Sequence, residues 1–401
     1  MDLEFELKMY NEFWNAIYYK IEPLLIDSFI EFYSEEYKSK IEKLFEELLI
    51  VRCDYLGKLD SEEKNEYIKN LEDQEAEYIN KVSDVIYQGE NVNLLELSEK
   101  EILDLLSKDH SLSFDDFINA KRSIINSIYQ KCVLSLSEKV PENQFVLVGT
   151  NVVEEESFED MKPIIENFIH NKGLNVNEMG YALLGIDILS FIQIRGYGIP
   201  IHTIIHEANH LLSRSSIAFN PATQLNIIAS GIDCNPSKDL IYEIINDHMA
   251  DEIEAIFNRK LKECGLEFYS YIFPQKKETG SIYPIIDNVC NQIILNFYTS
   301  AKLLIKDSII RGEGRRIYKI VGSDLYDQMN SKYHRVLDVM RCNPGQSVIL
   351  SDQLSQRFCS YQSILEKRLI EYYQYEEEMK KYKKFFNKKI SWLGQDIFLL
   401  H

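Results

Sequence analysis

The spacing of apolar and polar positions along the chain predicts a mainly helical protein. Residues 1 to about 140 carry apolar side chains at helical intervals, interrupted at Pro23. Ser98-Glu-Lys-Glu101 and Ser113-Phe-Asp-Asp116 have the pattern of helix capping boxes, and each precedes an apolar-periodic run. We therefore expect a helical N-terminal region over residues 1–140. Its charged, amphipathic sequence indicates a scaffold, or a surface that recruits a substrate or partner.

The pattern changes near Pro141, where short β-prone runs alternate with helices. Residues 145–148 and 225–229 are candidate strands, whereas 162–171 and 180–195 have the character of helices. Two further amphipathic helices are predicted, one after Pro200 and one over about 237–262. These elements define an expected mixed α and β core over residues 141–342.

A long helix is predicted in the third region, residues 343–401. It begins at a Ser351 cap and runs to about Lys389. Its aromatic and aliphatic residues recur every three or four positions, a heptad-like pattern that Arg368 interrupts. Packing on the rest of the same chain is the main expectation, and a dimeric coiled coil is the alternative.

Composition narrows the functions that this chain can have. It has 401 residues, 45% of them hydrophobic and 27% charged, which is enough for a substantial core. A net charge of -20 argues against nucleic-acid binding and against docking on anionic membranes. No apolar run is long enough for a membrane span.

The cellular setting is predicted from the cysteines and the first residues. The seven cysteines are scattered, without a C-x-x-C pair, as in a reduced intracellular chain. The acidic start Met1–Glu6 is not a signal peptide. We expect a soluble cytoplasmic protein, and export as an effector by a route without a signal peptide is the alternative.

The strongest chemical signal is His206-Glu-Ala-Asn-His210, an H-E-x-x-H motif. Two histidines four residues apart on a helix can bind one Zn²⁺, and Glu207 can then act as general base on a water bound to the metal. Apolar residues form a stripe nearly opposite the two histidines: Ile201, Ile204, Ile205, Ala208, Leu211 and Leu212. His202 lies one turn upstream, and we expect it to support the site or to be polar surface rather than to bind the metal.

A third metal ligand is expected on the next amphipathic helix, residues 240–254. Glu243, Asp247 and Glu254 lie on the side opposite its isoleucines, with the small residue Ala250 beside them. The spacing admits either Glu243 or Asp247 as the third ligand. A solvated acidic face is the plain alternative.

HEANH followed by Glu243-x-x-x-Asp247-x-x-Ala250 resembles the gluzincin type of HEXXH metallopeptidase. The resemblance implies an α+β zincin-like core in this predominantly helical chain, with His206, His210 and Glu243 as zinc ligands. It also implies that Asp247 hydrogen-bonds a ligand histidine. In a second register, Asn246-Asp247-His-Met-Ala-Asp251, Asp247 is the ligand and Asp251 supports it. Glu243 is preferred because it has the longer carboxylate and places Ala250 correctly.

The expected activity is zinc-dependent hydrolysis of peptide bonds by an endopeptidase with a protein or peptide substrate. A donor must stabilise the tetrahedral oxyanion, and Tyr318 is a candidate because Arg315-x-x-Tyr318 resembles the pair found in neurotoxin-type gluzincins. Tyr333-His334 is a second candidate. Two other functions fit the motif: a zincin-like helical regulatory protein without turnover, and a zinc hydrolase with a non-peptide substrate. The sequence does not predict the oligomeric state.

Overall fold

The fold is taken from a computed structural model of the full chain. The structure describes residues 3–54, 61–86, 94, 97–108, 111–137, 146–150, 180–186, 189–194, 198–220, 225–230, 240–273, 290–313, 315–328, 331, 363–381 and 384. These residues are predominantly helical, which confirms that part of the predicted fold class. The predicted helix 162–171 and the Tyr333-His334 pair lie outside them.

Five α-helices make up most of the described N-terminal part: α1 Leu3–Tyr33, α2 Lys38–Glu47, α3 Ser61–Ile86, α4 Glu99–Leu106 and α5 Phe114–Ser137. Pro23 lies inside α1 without ending it, so the predicted interruption is wrong. Both predicted capping boxes are confirmed. The backbone N–H of Ser98 donates to Glu101 at 2.8 Å, and that of Ser113 donates to Asp116 at the same distance.

A four-stranded mixed sheet has the order β2-β1-β4-β3. Its strands are β1 Leu48–Asp54, β2 Val146–Thr150, β3 Gly180–Ile186 and β4 Leu189–Ile194. β1 is parallel to β4 and antiparallel to β2, and β3 is antiparallel to β4. The helix predicted over 180–195 is therefore wrong, since this stretch forms the pair β3 and β4. A separate pair consists of β5 Arg214–Asn220 and β6 Leu225–Ser230.

The helices that follow the sheet are α6 Ile201–Leu212, α7 Leu240–Glu263, α8 Glu267–Ile272, α9 Cys290–Ile310, α10 Arg315–Val321, α11 323–328 and α12 363–381. α6 contains HEANH, begins seven residues after β4 ends and lies beside β3 and β4. α7 is the predicted acidic helix, and α12 is the described part of the predicted C-terminal helix.

The chain divides into two compact units. The first comprises Met1–Leu212, Ala218–Ile228 and Met249–Ser281, and the second comprises Ser213–Ile217, Ala229–His248 and Ile282–His401. Large aromatic side chains form the core of the first unit, among them Trp14, Phe29, Phe117 and Phe257. Among the described residues, no helix is both long enough and apolar enough to cross a membrane.

In the second unit, α12 is held by arginine contacts. Arg368 donates to the carbonyl of Val321 and lies 3.2 Å from both carboxylate oxygens of Asp324. Gly322 has a φ of +80°, and a Cβ at this position would clash with the Arg368 guanidinium. The residue that interrupts the heptad-like pattern is thus the one that fixes α12 to α10 and α11.

Candidate metal centre

Helix α6 is buried around most of its circumference. The predicted apolar stripe is confirmed, because all six of its residues are at most 3% exposed. Glu207, Asn209 and His210 on other sides are buried as well, whereas His202 and His206 are half-buried. The motif side chains are therefore more enclosed than expected for an amphipathic surface helix.

Helix α1 holds both α6 and the C-terminal half of α7. The hydroxyl of Tyr33, at the end of α1, donates to Asn209 Oδ1 of the motif at 2.8 Å, in a buried position. On the same helix, Glu31 forms ion pairs with Arg259 and Lys260 of α7. Burial raises the pKa of Tyr33 well above its ordinary value, so its hydroxyl remains a donor. No pattern in the sequence predicted this role for α1.

The two motif histidines point their outer ring nitrogens at each other. His206 Nε2 and His210 Nε2 are 3.2 Å apart, and the rings are tilted by 66°. Two nitrogens bound to one tetrahedral zinc ion lie about 3.3–3.4 Å apart, given zinc–nitrogen distances of about 2.0–2.1 Å. The donor pair therefore fits a shared metal ion.

The predicted third ligand, Glu243, is in the first turn of α7 and is half-buried. His206 and His210 belong to the first unit, whereas Glu243 belongs to the second. The role of Glu243 as third ligand stays a prediction, and so does the alternative register with Asp247. Two nitrogens and one carboxylate oxygen are a common protein donor set for catalytic zinc.

A further group of possible ligands lies within the first unit. It contains His202, Asp251 and Glu254, whose ligand atoms lie within 4.8 Å of one another. Histidine and carboxylate side chains of the described residues could thus hold a metal ion. The predicted hydrogen bond of Asp247 to a ligand histidine stays a prediction.

His202 lies against two carboxylates of α7, and its expected role as a supporting or surface residue stays a prediction. Its Nδ1 lies 2.9 Å from Glu254 Oε2 and 3.5 Å from Asp251 Oδ1, and its side chain is only 12% exposed. The sequence placed Glu254 on the acidic face of α7 but did not connect it with His202. Only a helical-wheel comparison of His202 on α6 with the acidic face of α7 could have suggested this contact from the sequence.

Tyr318 lies in an aromatic cluster of the second unit. Its ring centroid is 5.0 Å from that of Tyr326, which is 5.8 Å from that of Tyr242, the residue before Glu243. The role of Tyr318 in stabilising an oxyanion stays a prediction. The side chain of Arg315 and the pair Tyr333-His334 lie outside the part of the chain that the structure describes.

The neighbouring Arg316 has a structural role. Its guanidinium donates to Tyr372 Oη at 2.6 Å and to Asp307 Oδ2 at 3.0 Å, and it pairs with Glu376. Burial works against the charged form, but hydrogen bonds with Tyr372 and Glu376 outweigh it and raise the pKa of Arg316. This arginine joins α10 to α9 and α12.

Comparisons with known proteins give no further guide to the site. No protein family, curated protein or solved structure matches this chain. The case for a function therefore depends on the chemistry of the described residues.

Proposed function

We propose that this chain is a zinc-dependent metallopeptidase whose zinc ligands are His206, His210 and Glu243. The observation that carries the proposal is the pair of motif nitrogens, His206 Nε2 and His210 Nε2, which lie 3.2 Å apart as two ligands of one zinc ion do. Glu243 is proposed as the third ligand from the resemblance of the sequence around it. Glu207 adds a second, independent element, because its buried carboxylate directly follows the first histidine in the chain. A mixed sheet beside α6 is compatible with the proposed zincin-like core.

The residues around the site have separable tasks in this proposal. A zinc ion held there would supply Lewis acidity, lowering the pKa of a bound water and polarising the scissile carbonyl. Glu207 accepts a proton at its carboxylate and returns it to the leaving amine. Asp247 orients a histidine ring, and Tyr33 holds the motif helix through Asn209. Tyr318 remains the proposed oxyanion donor.

Substitution of Glu207 tests the chemistry without removing a ligand. We expect Glu207→Gln to bind zinc as the wild type does and to lose about 10²–10⁴-fold in the hydrolysis of peptides, the usual contribution of a general base. The assay is cleavage of a proteome-derived peptide library read by mass spectrometry, with bound zinc measured on the same samples. Glu263→Gln, an exposed site at the end of α7, is the matched control.

The possible results separate the proposed functions. Peptide cleavage by the wild type that is lost in Glu207→Gln supports a metallopeptidase. Zinc binding without cleavage of any peptide would favour the regulatory protein or a non-peptide substrate. Equal cleavage by wild type and Glu207→Gln would show that the assigned mechanism is wrong.

A further inference from the structure

A second donor cluster lies on α6 and α7, entirely within the first unit. It consists of His202, Asp251 and Glu254, whose ligand atoms lie within 4.8 Å of one another. The imidazole of His202 is largely buried and has Glu254 at 2.9 Å and Asp251 at 3.5 Å from the same nitrogen, Nδ1. Both carboxylates thus approach a single ring atom.

The three groups offer ligand atoms of the kinds that bind divalent cations. Asp251 and Glu254 are three residues apart, on one face of α7, and each presents carboxylate oxygens. The His202 nitrogen that faces them has a lone pair when the ring proton is on the other nitrogen. A divalent cation between the three groups would accept an electron pair from each of them.

We propose that His202, Asp251 and Glu254 bind a second divalent cation, separate from the one proposed at His206, His210 and Glu243. One nitrogen and two carboxylate oxygens form a mixed donor set that suits Mn²⁺ or Zn²⁺. Asp251 is 48% exposed, so water completes the coordination shell. This site does not depend on peptide hydrolysis, and it gives His202 a role that the HEANH motif does not include.

The two proposed sites share no ligand, since none of His202, Asp251 and Glu254 is among the three residues proposed to hold the first ion. The proposed effect of the second cation is to join α6 to the part of α7 that belongs to the first unit, which begins at Met249.

Titration with Mn²⁺ tests the proposal in the full chain, since Mn²⁺ avoids the exposed thiol of Cys264, which would bind zinc. The protein is first given one equivalent of zinc, and bound Mn²⁺ is then counted from the loss of the free-ion signal in electron paramagnetic resonance. We expect one Mn²⁺ per wild-type chain. Asp251→Asn and Glu254→Gln should each weaken Mn²⁺ binding at least tenfold, and Glu263→Gln should not change it.

Variants of the first site complete the test. Binding of Mn²⁺ that survives His210→Ala but not Asp251→Asn supports the second site, even if the wild type cleaves no peptide. Binding that is lost in His210→Ala and kept in Asp251→Asn places the ion at the first site and overturns the proposal. A wild type that binds no Mn²⁺ also overturns it. Asp251→Asn is the main variant, because its exposed position leaves folding intact should Glu254→Gln disturb the helix pair.

Discussion

Two regions of this protein bury charged groups, and they do so in opposite ways. In the N-terminal helices, Lys121 is 2% exposed, donates a hydrogen bond to the carbonyl of Leu97 and lies 4.7 Å from the centre of the Phe268 ring. Burial lowers the pKa of Lys121 to about 8, although the charge of Glu101 acts in the other direction. A backbone carbonyl and an aromatic ring face this ammonium group, but they offset only part of the cost of burying it.

The candidate site brings together side chains of the kinds that bind metal ions. On α6 the outer nitrogens of His206 and His210 lie 3.2 Å apart, and His202 has the carboxylates of Asp251 and Glu254 beside it. Imidazole nitrogens and carboxylate oxygens are ligands that proteins use for divalent cations. The buried lysine faces groups that attract a cation of the protein itself, whereas these side chains suit a cation from outside it. That difference separates a scaffold from a candidate site.

The largest expected effect is the loss of zinc binding in His206→Ala. Removal of a ligand should lower zinc affinity by more than about 100-fold, because even a group that only orients a ligand typically accounts for 10–100-fold. Competition with a fluorescent chelator measures this. Lys121→Met is the control from the other region and should retain wild-type affinity. Tight zinc binding by His206→Ala would show that His206 is not a zinc ligand, and the proposed difference between the two regions would be lost.

A large-to-small substitution in the N-terminal core should lower the stability of the protein and leave its zinc affinity unchanged. Phe117 is fully buried among Val82, Leu94, Leu97, Ile102 and Ala120. Phe117→Ala should lower the free energy of unfolding by about 3–5 kcal/mol, as large-to-small core substitutions do. Urea unfolding followed by circular dichroism measures the loss, with zinc affinity unchanged in the folded variant. A loss below about 1 kcal/mol would mean that this cluster is not a tight core.

Local features of the fold could be predicted from the sequence, and pairings between distant residues could not. The capping boxes and the apolar stripe of α6 depend on residues a few positions apart, and all are confirmed. Residues 180–195 were predicted as one helix because a short apolar run fits either structure. Their strands are defined by pairing with each other and, for β4, with β1.

The same distinction applies to the site. The spacing of acidic residues on α7 left Glu243 and Asp247 open as the third ligand, and the family resemblance favoured Glu243; that choice stays a prediction. The bond from Tyr33 to Asn209 spans 176 residues, and the contact between His202 and Glu254 spans 52. No periodicity within one element encodes such contacts, so the support of the motif by α1 and the second donor cluster were missed.

The substitution Tyr33→Phe tests the hydrogen bond between Tyr33 and Asn209, which links the N-terminal helices to the HEANH motif. Tyr33→Phe leaves Asn209 Oδ1 buried without its donor, which should lower the free energy of unfolding by about 1–3 kcal/mol. Tyr19→Phe, on the same helix but 55% exposed, is the control and should have little effect. Urea unfolding of both variants measures the difference. Equal stability of Tyr33→Phe and wild type would show that the bond does not hold α6.

The smallest expected effect is the pH dependence that Lys121 gives to stability. The folded protein holds this proton less tightly than the unfolded chain, because the pKa of Lys121 is about 8 when folded and about 10.4 when unfolded. Between these values the unfolded state binds more protons, so the contribution of Lys121 to stability increases with pH. From pH 8 to pH 9 the increase is about 1 kcal/mol.

Urea unfolding of wild type and Lys121→Met at both pH values isolates the contribution of Lys121, since other titrating groups cancel in the difference. A difference that is constant or falls with pH would mean that Lys121 is not a desolvated cation, and that the two regions do not differ in how they bury charge.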